Sequence, residues 1–195
     1  MKYNLTELNA VIRNRRSIKP EFFSGEDIPD GSLEQLLENA RWAPTHGLTQ
    51  PWSFKIFQKE GLKRLADWQA ATYRQVTGEE KFNSKKYEKL RSRPVLSSVV
   101  IAVCMKRQET EKIPEVEELA SVACAVQNMF LTATGMGLAA YWGSGGLTYT
   151  SEMRDYLGLG SKDQCLGFFY LGMPGRNVAD SEREPVSTFT KFILD

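Results

Sequence analysis

The chain has 195 residues, enough for one well-buried core, and a single domain over 1–195 is the expectation. Hydrophobic residues at 42% and charged residues at 25% are values of an ordinary globular protein and argue against a disordered or fibrous one. A net charge of +1 argues against a general polyanion binder, so no nucleic-acid partner is expected; a local basic cluster still suffices for one small phosphate.

The opening MKYNLTELNAVIRNRRS has no apolar h-region and no small-residue cleavage site, so no secretory signal is expected. Leu5, Leu8, Val11 and Ile12 predict a helix over 4–16 that ends in Arg13, Arg15 and Arg16. After a loop with Pro20, Gly25 and Pro29, Asp30 is a candidate cap for a second helix at 32–42. APTHGLTQP is rich in turn formers and leads into WSFKIFQ, whose alternation predicts a strand. Residues 61–93 are polar and helix-prone with scattered aromatics, and read as an excursion over the core or a lid. Val95 to Met105 is β-branched and apolar, as in a buried strand. A helix follows at 116–135, with Leu119, Val122, Ala123, Val126 and Phe130 at helical spacing and small residues over much of the rest. Then come the Gly-rich GMGLAAYWGSGG, a helix at 151–157, a strand at 167–171 and a tail with little pattern before TFTKFIL.

The low-charge run from Leu119 to Gly146 is broken by Ser121, Gln127, Asn128, Thr132, Thr134 and many glycines, which favours a buried helix over a membrane span. Cys104, Cys124 and Cys165 are odd in number and set among apolar neighbours, and read as reduced core residues of a cytoplasmic protein. One histidine and no Cys-x-x-Cys leave no expected metal ligands. Alternating helices and strands without repeats predict a sandwich of α/β or α+β class, with helices covering a mixed sheet.

Four stretches carry candidate chemistry. Arg15-Arg16-Ser17 offers two guanidiniums and a hydroxyl to a phosphate, although a helix C-terminus favours cations even without a ligand. In Pro44 to Trp52, two prolines stiffen a loop that presents Thr45, His46 and Gln50; the Gln50 amide suits a heterocycle edge with both donors and acceptors. Tyr141-Trp142-Gly143-Ser144-Gly145-Gly146 lets backbone approach a flat ligand, and it fits neither the Rossmann nor the Walker pattern. Leu171-Gly172-Met173-Pro174-Gly175-Arg176 ends a strand beside a possible phosphate ligand, Arg176.

In this order and at these separations, the four stretches resemble the FMN-binding nitroreductase family, especially its short branch. The matching motifs are Arg-Arg-Ser after the first helix, Ala43-Pro44-Thr45 through Gln50-Pro51-Trp52, Gly137-Leu138 with Trp142, and Leu171 to Pro174. The resemblance implies an α+β three-layer sandwich with a mixed, mostly antiparallel sheet, intertwined as a homodimer with FMN at the subunit interface. It implies that Arg15, Arg16 and Ser17 hold the phosphate, the ribityl chain and the nearby ring edge. Trp42, Thr45, His46 and Gln50 would reach the flavin from the opposite subunit, while Trp142, Gly143, Ser144 and Gly145 line the isoalloxazine and Arg176 assists at the phosphate. The implied activity is transfer of a hydride from NADH or NADPH through the flavin to a small-molecule acceptor, a nitroaromatic or quinone, by a ping-pong course. Reductive dehalogenation or enal reduction on the same fold, and flavin binding without turnover, are the alternatives.

Overall fold

The computed structural model describes residues 3–176 and 179–194. The elements in chain order are α1 (Leu5–Asn14), α2 (Ser32–Ala40), β1 (Trp52–Phe57), α3 (Glu60–Lys81), α4 (Ser84–Ser92), β2 (Val99–Met105), α5 (Glu115–Gly135), β3 (Ala139–Gly143), α6 (Ser151–Tyr156) and β4 (Gln164–Gly172). The strands form one sheet in the order β1-β2-β4-β3. The architecture is α+β. Pairing is antiparallel throughout the described strands, where the sequence suggests a mixed sheet.

Each face of the sheet carries its own core. One face packs Val99, Ile101, Val103, Phe169 and Leu171 against Leu36 of α2 and Val122, Val126 and Met129 of α5. The other packs Val100, Ala102, Phe168 and Tyr170 against Leu65 and Tyr73 of α3, Leu90 of α4 and Met153 of α6. This is the period-two alternation of a strand buried on both sides, and it explains why β2 reads as an uninterrupted apolar run. Residues 61–93 supply most of the second cover layer through α3 and α4, with Leu65 and Tyr73 buried. Among the described residues, no helix is long and apolar enough to cross a membrane.

Three local expectations change. Asp30 is not the cap of α2: Gly31 takes the N-cap position at φ 80°, and no side chain caps the helix. The Gly-rich segment contains a strand, β3, set by pairing with β4 (Tyr141 opposite Tyr170) rather than by propensity. Helix α1 is amphipathic yet buries no residue: Leu5, Leu8 and Ile12 all face outward. The three cysteines are free, and Cys104 and Cys165 are register partners on β2 and β4.

Candidate functional site

Helix α1 starts with Asn4 Oδ1 accepting from Thr6 and Glu7 N–H, and it ends where Arg15 turns to extended ψ. The chain then runs along the outer edge of β3, where Ile18 N–H donates to Ala140 O at 2.8 Å. Arg15-Arg16-Ser17 and the Tyr141–Gly145 stretch thus become neighbours. Arg16 Nη1 donates to Arg13 O (2.5 Å) and Arg15 O (3.1 Å), while its Nη2 reaches Asp180 Oδ1 at 3.4 Å. Arg15 lies over the Phe130 ring at 5.2 Å, and its Nη1 is 3.5 Å from Ser17 Oγ.

Burial, and then the guanidiniums of Arg183 and Arg16, lower the Arg15 pKa from its usual value. Two further guanidiniums thus stand close to Arg15, an arrangement that can hold a dianion such as a phosphate. Arg183 is the residue that sequence reasoning misses. It stands in a tail without periodicity, and the only clue was that it is basic and follows the Leu-Gly-x-Pro turn. Arg176, the residue named from sequence, lies with its guanidinium 3.5 Å over the Phe22 ring instead. There the turn is sewn to residues 22–24 by Gly175 N–H to Phe22 O (2.9 Å) and Ser24 N–H to Met173 O (2.9 Å).

At the far end of β3, Ser144 and Gly145 are exposed, and a Cβ on Gly145 would meet nothing within 4 Å. Trp142 Nε1 is buried and has no hydrogen-bond partner among the described residues. Behind it, Gly167 adopts φ +127°, and a Cβ there would lie 2.6 Å from Gly143 O and 2.9 Å from Trp142 Nε1. Gly167→Ala is therefore expected to destabilise the protein by roughly 1–3 kcal/mol through overpacking, with backbone strain added. A denaturant midpoint equal to that of the parent would contradict this close approach.

The loop before β1 lies elsewhere. Gly47, Leu48 and Gln50 have φ of 59°, 54° and 46°, a left-handed course that is costly for the two non-glycine residues. Thr45 Oγ1 accepts from Gln50 N–H at 3.1 Å, and Lys106 N–H donates to Pro51 O at 2.7 Å, so the loop is held while Gln50 itself is exposed. His46 Nδ1 and Glu117 Oε2 share a 2.5 Å hydrogen bond. Trp42 is 73% exposed and donates from Nε1 to Glu38 Oε1 at 3.0 Å.

The loop and the arginines do not meet within one chain. His46 bonds Glu117 near the start of α5 and Arg15 sits over Phe130 near its end, a separation of about 20 Å along the helix. They also flank opposite edges of the sheet, β1 and β3, three strand spacings or roughly 14 Å apart.

Residues 12–173 match the nitroreductase family model. A protein of Escherichia coli K12 named as an NAD(P)H nitroreductase, YdjA, is 32% identical over 179 residues, covering 91% of this chain and 94% of the relative. The crystal structure of a nitroreductase-like family protein from Bacillus cereus superposes with a TM-score of 0.83 at 27% identity, covering 99% of both chains. A Desulfovibrio desulfuricans protein described as a nitroreductase and crystallised in complex with FMN superposes with a TM-score of 0.74 at 24% identity, the match covering 99% of both chains. With the match running from α1 to the end of β4, the chain belongs to the nitroreductase family.

Proposed function

We propose that the protein is an FMN-dependent oxidoreductase that draws reducing equivalents from NADH or NADPH and delivers two electrons to a nitroaromatic or quinone-like acceptor. The observation that carries this reading is the cluster of Arg15, Arg16 and Arg183, with Arg15 and Arg16 on the segment that runs along β3 and the Arg15 pKa lowered by burial and by its two neighbours. The relative named for NAD(P)H and the neighbour crystallised with FMN point the same way. The residues fit FMN: the arginines and Ser17 would take the phosphate, and the open backbone at Ser144 and Gly145, following Trp142, would lie along the ring. Flavin, when bound, supplies hydride acceptance and donation at N5, which removes the need for a strong acid or base from the chain. What the protein contributes is orientation, charge for the phosphate and a wall against water.

Gln50, Thr45, His46 and Trp42 fit the same ligand only if they come from a second copy, because they lie on the other edge of their own sheet. A homodimer with FMN at its interface accounts for this, and also for the uncovered apolar face of α1 and the exposed Phe189, Phe192, Ile193 and Leu194 of the tail. Unpaired cysteines suit a reducing, cytoplasmic setting.

The decisive test of the activity is the visible spectrum of the purified protein. A flavin band that NAD(P)H bleaches and a nitroaromatic restores is expected; colourless protein that takes up no added FMN would refute the reading. For the dimer, dilution is expected to lose dimer and flavin together, as followed by light scattering and flavin fluorescence. A monomer that retains FMN tightly would overturn the shared site.

A further inference from the structure

Between the α3–α4 hairpin and the glycine segment lies a cavity of about 250 Å³, lined by Gln69, Lys86, Lys89, Arg93, Leu90 and Tyr141, with Phe168, Tyr170 and Gly143, Gly145 and Gly146 closing it. Its chemistry is one-sided. Three cations line it and no carboxylate does. Arg93 is spoken for, with Glu21 Oε1 2.9 Å away and its guanidinium over the Tyr141 ring at 5.2 Å. Among the described residues, neither Lys86 nor Lys89 has a carboxylate within 4 Å; Lys86 Nζ lies over the Tyr73 ring at 5.1 Å.

Gln69 makes the second, independent observation. It occupies a position of α3 between Leu65 and Tyr73 on the helix face that packs into the core, where an apolar side chain would be the simple choice. Yet it is a glutamine, 1% exposed, and its Oε1 has no hydrogen-bond partner. A buried acceptor left unmatched is costly, and on a residue that lines a cavity a donor on a bound molecule would remove that cost. The remaining wall is aromatic, from Tyr141, Phe168 and Tyr170, which suits a flat molecule. Pockets for drug-sized ligands run to about 300–1,000 Å³, so this one suits a single ring.

We propose that this cavity binds a small planar acid that carries an O–H or N–H donor remote from its acidic group, the acid at Lys86 and Lys89 and the donor at Gln69. Because the cavity borders Gly143 and Gly145, and resting on the FMN reading for this point, the molecule it holds is the electron acceptor, and the acceptor class is anionic.

The test is titration calorimetry on the protein as purified, with its flavin where it carries one, using three probes: 4-hydroxybenzoate, benzoate, which lacks the donor, and 4-hydroxybenzamide, which lacks the charge. The first is expected to bind roughly tenfold more tightly than either of the others, the effect of one hydrogen bond or ion contact. The Lys86→Met/Lys89→Met variant is expected to lose the preference for carboxylate over amide while keeping the preference for the hydroxyl. In turnover, 4-hydroxybenzoate is expected to raise the KM for nitrobenzene without lowering kcat. Equal binding of the three probes, no binding, or an unchanged carboxylate preference in the lysine variant would overturn the site. Binding without competition would overturn its assignment to the acceptor. Failure of the FMN reading shows separately, as protein without a flavin spectrum, while the three-probe comparison still decides what the cavity binds.

Discussion

Arg15→Ala is expected to strip the protein of FMN while leaving the polypeptide nearly as stable as before. Each charged hydrogen bond to a phosphate is worth about 1.5–3 kcal/mol, so the loss corresponds to roughly 10- to 100-fold in FMN affinity. Without the ligand, the same side chain contributes little. It is desolvated and repelled by Arg16 and Arg183, and what it gains is a weak hydrogen bond at 3.5 Å and an aromatic contact with Phe130 at 5.2 Å. Removing it also relieves repulsion among the arginines that remain. Equilibrium dialysis of FMN and thermal melting of the flavin-free protein, run side by side, separate the two effects. Unchanged FMN affinity would refute the phosphate site, and a collapsed melting temperature would show Arg15 to be part of the scaffold. Arg15→Lys is expected to recover only part of the affinity, because an ammonium keeps the charge and loses the planar fork.

Glu118→Ala is expected to be among the most damaging single changes to stability, costing about 3–5 kcal/mol. Glu118 is 1% exposed and forms a buried ion pair with Arg107, whose side chain is 9% exposed; Gln108 Nε2 also donates to it at 3.2 Å. Arg107 in turn donates from Nη1 to Ile113 O at 2.8 Å, and its N–H bonds Asp163 Oδ1 at 2.9 Å. Truncating the carboxylate strands a guanidinium in the interior without its counter-charge. For a chain of this length each kcal/mol shifts the melting temperature by roughly 2–4 °C, so the drop is easily seen. The double variant Arg107→Met/Glu118→Leu is expected to recover most of the loss, since apolar replacement removes both desolvation penalties. A double variant no better than Glu118→Ala would show that the pair is not the source of the effect. The pair also fastens the start of α5, where Glu117 holds His46, to the end of β2.

Much of this architecture is visible in the sequence where burial and periodicity coincide. The apolar run of β2 and the helical spacing of α5 are both of this kind; α5 starts one residue before its expected bound, while β2 begins only at Val99, because residues 95–98 form a turn after α4. Strand β3 is hidden because glycines flank it on both sides and its extended state is imposed by β4. The position of α3 and α4 is hidden for a related reason: their composition announces helices, but a polar surface does not say which face of the sheet lies underneath. The arginines after α1 stand out as a tandem pair, whereas Arg183 matters only through its distance from Arg15, a property of the folded chain. Strand order is a spatial fact as well. The motif order along the chain therefore gives no warning that the loop before β1 and the arginines beside β3 flank opposite edges.

That separation by the width of a sheet and the length of α5 has a genetic meaning on the two-chain reading. Each polypeptide lends its loop to one flavin and its arginines to another, so the unit that is inherited and the unit that binds cofactor are different objects. Two chains, one damaged at Gln50 and the other at Arg15, together still contain one complete set of ligands: the intact loop of the second and the intact arginines of the first. A defect in either region is thus recessive within a mixed dimer, and the gene can carry lesions in both halves of its site as long as they fall in different copies.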